Sequence, residues 1–131
     1  MLIVTPLFAA VFAIIYLGLS INVIRFRLSG QISIGDGGDK KPEHAVRAQA
    51  NFIEYVPLML ILMWFIETLT FSSATVFWIG SILLVSRILH ILGMLFPVKL
   101  MTLHPLGMVG TFAAMLKAVW VLVQYYLPVS I

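Results

Sequence analysis

Leu2 to Ile24 contains no charged residue. Roughly 20 consecutive apolar residues suffice for a helix to cross the hydrocarbon core of a bilayer. Three more segments read as spans: Pro42 to Leu69 with Pro57 inside it, Thr75 to Phe96, and Pro105 to Leu127. The third is interrupted only by Ser81, Ser86, Arg87 and His90, and the fourth holds Lys117 and Gln124. A hydrophobic content of 62% with 10% charged residues is far from a soluble domain's composition. At 131 residues there is room for one domain, here taken as 1–131. The expected fold class is an all-α membrane protein, a bundle of four transmembrane helices. Because Arg25 and Arg27 follow the first apolar run rather than precede it, that run is expected to be retained and not cleaved as a signal peptide.

The polar residues restrict function further. The absence of cysteine excludes disulfides, cysteinyl metal sites and a protein thiol nucleophile. A net charge of +3 comes from few, scattered basic residues, so no nucleic-acid partner is expected and the balance reads as membrane orientation. Arg25, Arg27, Lys40 and Lys41 lie in the first connection and Lys99 in the third, while Thr68 to Ser73 has no lysine or arginine. The positive-inside rule then puts the first and third connections in the cytoplasm and both termini outside. Gly35, Asp36, Gly37 and Gly38 read as a turn, since the lysine and hydroxyl of a phosphate loop are missing at the required spacing.

Within the second span, Arg47, Asn51, Glu54 and Tyr55 are spaced to share one helical face. By helical rise, Glu54 and Arg87 both come ~15 Å deep from the basic end, so the two opposite charges are expected to meet. Two readings stand side by side. One is a structural Glu54–Arg87 clamp, with Asn51 as an interhelical hydrogen bond. The other is a functional site, since ionisable groups at that depth normally face a bundle interior or cavity. His90 shares the face of Arg87 but has neither a histidine four residues on nor a carboxylate on its helix, so no metal site is expected. Four short helices offer little interior for so many polar groups, and neighbouring subunits are expected to complete the pocket.

R-A-Q-A-N-F-I-E-Y-V-P at Arg47 to Pro57 resembles the second-helix signature of the MAPEG family, membrane-associated proteins in eicosanoid and glutathione metabolism. R-I-L-H-I-L-G at Arg87 to Gly93 is similar to that family's third-helix pattern, and I-R-F-R at Ile24 to Arg27 to the basic end of its first helix. With G-D-G-G in the first connection, the chain looks most like the small bacterial members. The resemblance implies an inner-membrane homotrimer binding glutathione between subunits. Arg25, Arg47, Asn51, Glu54, Tyr55, Arg87 and His90 would form its contacts. It also implies a lipophilic small-molecule substrate drawn from the membrane lipid, and a transferase or peroxidase reaction. One departure concerns activation of the thiol. Where the family places an arginine shortly after its third helix, this chain has K-L-M-T-L-H at Lys99 to His104, and Met94 replaces a family tyrosine. The catalytic candidates are therefore Lys99, His104 and Tyr55. A non-enzymatic lipid-binding member is the alternative. A small multidrug transporter is disfavoured, because the first span lacks a carboxylate.

Overall fold

The structure is a computed structural model that describes residues 4–70 and 72–127. Helix α1 spans Val4–Gly30, α2 Lys40–Thr70, α3 Ser73–Leu95, α4 Pro97–Leu100 and α5 Leu103–Tyr126. The four long helices each carry a window apolar enough to cross a membrane, and the described residues contain no strand.

Proline position explains several helix starts. Pro6 and Pro105 fall in the first turns of α1 and α5, and Pro97 begins α4, where the missing N–H was unpaired in any case. Pro57 is the exception. Inside α2 it removes the donor for the carbonyl of Ile53, yet the helix continues for a further three turns or so.

Three connections are shorter than hydropathy predicts. α1 runs on past its apolar stretch to Gly30, and the Gly35–Gly38 segment forms the expected turn. Gly37 there has φ +65°, and a Cβ on it would meet Ile32 at 2.6 Å, so both backbone and space call for glycine. Thr68 and Thr70 remain helical, and their hydroxyls donate back to the carbonyls of Trp64, Phe65 and Ile66 instead of drawing the backbone into a turn. The stretch Val98 to His104 is largely helical too, divided between α4 and the first turn of α5.

Helices α2 and α3 are central: α1 packs on both, and α5 packs on both from elsewhere in the bundle. The α1–α2 seam is aromatic, with Phe12 edge-on to Phe52 at 6.0 Å and Tyr16 stacked on Phe52 at 6.2 Å. The most extensive pairing, α3 with α5, depends on small residues. A Cβ on Gly107 would lie 2.5 Å from both the His90 nitrogen and the Ser86 carbonyl oxygen, and one on Gly93 would collide with the His104 backbone. Ser86, Thr111, Ala114 and Ala118 complete that buried contact. Membrane helices lack a hydrophobic drive towards each other, so close backbone approach of this kind supplies the dispersion contacts.

Candidate functional site

The centre of the polar arrangement is Arg87 on α3, which is 1% exposed. Its Nη1 donates to Asn51 Oδ1 of α2 at 2.7 Å, and its Nη2 lies 3.4 Å from the Met108 sulfur of α5. The guanidinium also sits 5.6 Å from the ring centre of Tyr55, which in turn meets Phe112 of α5 edge-on at 5.8 Å. Nε of Arg87 is buried and has no hydrogen-bond partner. One cation therefore joins three helices and keeps one donor in reserve.

Glu54 does not join this cluster. It is exposed, and no ion pair with Arg87 forms. Helical phase is the reason. At about 100° per residue, Glu54 lies about 60° round from Asn51 on the side away from the buried Ala48, Phe52 and Met59. Tyr55 lies about 40° round towards that core. Arg47 shares the outward side with Glu54 and pairs with Glu43 at 3.0 Å, an exposed pair worth little to stability. The stripe thus begins on the inner edge of α2, at Asn51 and Tyr55, and ends on its open face.

Towards the basic end, one turn along α3, His90 is 1% exposed and its ring lies 4.8 Å from that of His104 on α5. Neither ring nitrogen of His90 has a partner. The contact depends on Gly93 and Gly107, which admit α5 close enough to bring the rings together. No group of three or more metal-ligating residues occurs among the described residues.

The remaining candidates, Arg25 and Lys99, line a separate pocket of about 590 Å³ at the basic end, together with Lys40, Lys41 and His44. Arg25 is oriented by a 2.9 Å bond to Asn22 Oδ1. Lys117 stands exposed on α5, on the side away from Ala118.

Sequence reasoning misses Glu67. It is 2% exposed and accepts hydrogen bonds from the backbone nitrogens of Val4 and Thr5, both at 2.8 Å, and from Ser73 Oγ at 3.2 Å. A carboxylate from α2 thus caps the N-terminus of α1, whose first N–H groups have no intrahelical partner. The available signal was the lone acid in the apolar half of α2.

Four membrane-crossing helices with a guanidinium, an amide, a phenol and two imidazoles gathered between them define a polytopic integral membrane protein with an internal polar site. The chain belongs to the MAPEG family, whose profile matches residues 5–124. It is 32% identical over 116 residues to the inner membrane protein YecN of Escherichia coli K12, covering 88% of this chain and 87% of that one. The same protein from Escherichia coli O6:H1 matches equally. No solved structure matches. The family is one of membrane proteins associated with glutathione, and the relative's description names a membrane but no reaction.

Proposed function

We propose that the protein is a glutathione-dependent transferase or peroxidase that acts on lipophilic electrophiles or lipid hydroperoxides as a homotrimer. The observation that carries this reading is the unequal burial of the α2 stripe. Asn51 and Tyr55 hold Arg87 in the core, while Glu54 stands unpaired on the outer face of the same span. A carboxylate facing hydrocarbon is costly, so a neighbouring subunit and a cationic ligand group are expected to cover it.

Glutathione fits that need. Its ammonium is a partner for Glu54, and its two carboxylates are partners for Arg47 and for the free Nε of Arg87. Arg25 adds charge at the basic end, and His90 closes the inner wall. The thiol is held as thiolate by the field of Lys99 and Arg25 and by a donor from Tyr55 or His104. In transfer, the sulfur bonds to an electrophilic carbon, the leaving group departs with its electron pair, and the thiol proton passes to water. In peroxide reduction, two thiols give a disulfide while the hydroperoxide becomes an alcohol and water.

A second reading, a lipid-binding member without turnover, is favoured by the lack of an arginine between Lys99 and His104. Purified protein in gentle detergent is assayed for glutathione-dependent conversion of a chlorodinitrobenzene and of a lipid hydroperoxide. Turnover of either supports the enzyme; glutathione binding without turnover supports the second reading. Glu54→Gln is expected to weaken glutathione binding by about tenfold, through loss of a charge-assisted contact, while leaving the thermal midpoint unchanged. Unaltered affinity would remove Glu54 from the site. Three chains per particle by native mass measurement is the expected assembly.

A further inference from the structure

The pocket at the basic end has chemistry that the glutathione reading leaves mostly unused. Four cations line it: Arg25 from α1, Lys40 and Lys41 from the start of α2, and Lys99 from α4. No carboxylate among the described residues does. Among the described residues none of the four forms an ion pair. The acids nearest in sequence are committed elsewhere. Asp36 accepts from the Gly38 nitrogen, Asp39 from the Lys41 nitrogen, and Glu43 binds Arg47. His44, also in the lining, has a buried Nδ1 without a partner.

The walls between these charges are apolar, built from Phe26, Leu95 and Pro97. The volume of about 590 Å³ lies within the ~300–1,000 Å³ usual for small-molecule sites. Position adds a second constraint. The cations stand at the ends of spans, the level of lipid headgroups, and exposed Ile21 and Leu17 follow Arg25 down one face of α1 at four-residue intervals.

We propose that this pocket binds the phosphate headgroup of an anionic glycerophospholipid, whose acyl chains lie along α1 past Ile21 and Leu17. Uncompensated cations between helices at the membrane surface suit a phosphodiester, and the apolar walls suit the glycerol backbone and the first methylenes. Arg25 and Lys99 are shared with the glutathione reading, but Lys40, Lys41 and His44 play no part in it, so a variant at the two lysines separates the two sites.

Native mass spectrometry of the full chain from mixed micelles tests it, with phosphatidylglycerol and phosphatidylcholine offered at equal concentration. Preferential retention of phosphatidylglycerol is expected. Lys40→Gln/Lys41→Gln should lower that retention by about tenfold, whereas Lys117→Gln, outside the pocket, should not change it. Both lysines of the double variant are exposed, so folding is preserved, and an unchanged thermal midpoint verifies this. Equal retention of the two lipids overturns the proposal, as does a double variant that retains phosphatidylglycerol like the parent. Glycerol phosphate or inorganic phosphate competing as strongly as the lipid makes this a soluble-anion site and overturns it too. Loss of glutathione binding in the double variant assigns the pocket to glutathione instead; unaltered glutathione binding supports the separate lipid site.

Discussion

Arg87 Nη1 and Asn51 Oδ1 are 2.7 Å apart across the α2–α3 interface, and this bond, not an ion pair with Glu54, keeps the buried guanidinium in place. A neutral amide satisfies one donor without neutralising the charge. The site therefore retains a net cation among apolar walls, the condition under which an anionic ligand group binds strongly.

Asn51→Leu should be among the most damaging changes that can be made in α2. It leaves Nη1 as well as Nε of Arg87 buried without an acceptor, at a cost of about 1–3 kcal/mol or more for a charged donor. Thermal unfolding in detergent should show a lower midpoint, and the double variant Asn51→Leu/Arg87→Leu should recover part of the loss. A single variant as stable as the parent would show that the bond contributes nothing.

Gly107→Ala tests the close approach of α3 and α5. The added Cβ meets backbone atoms of His90 and Ser86 at 2.5 Å, so the helices must separate, with an expected loss of about 1–3 kcal/mol. Gly18→Ala is the control. A Cβ there meets nothing within 4 Å, and relief of the glycine penalty should stabilise α1 by up to about 1 kcal/mol. Equal midpoints for the two variants would refute the small-residue account.

Glu67→Ala removes acceptors from the Val4 and Thr5 nitrogens and should cost about 1–2 kcal/mol, the scale of a lost helix cap. Glu67→Gln keeps one acceptor oxygen and should cost less. Hydrogen exchange at the first turn of α1 is the discriminating readout: faster exchange confined to that turn is expected in the alanine variant.

The lysine and arginine distribution predicts the orientation. A reporter fused after Ile131 is expected to read as external, and one inserted within Gly35 to Gly38 as cytoplasmic. Reversed signals would place the basic pocket and the proposed glutathione site on the opposite side of the membrane.

Much of this protein is written locally in its chain. Four spans, the helical character of each, the Gly35–Gly38 turn and family membership all follow from runs of apolar residues and short spaced motifs. Membrane insertion depends on hydrophobicity summed along a segment, and a motif is a property of neighbours in sequence. The stripe from Arg47 to Tyr55 was equally legible as residues sharing part of a helix surface.

Which side of that surface faces inward was decided only by tertiary packing. Glu54 and Arg87 match in depth, but rotation about the helix axis sends one outward and the other into the core, and hydropathy carries no such phase in a helix apolar on most sides. The His90–His104 contact and the capping of α1 by Glu67 were likewise hidden, since each joins residues on different helices. Side-chain chemistry determined which polar groups needed partners; the packing of α3 against α5 through glycine, and of α1 and α5 against both α2 and α3, decided which partners they found.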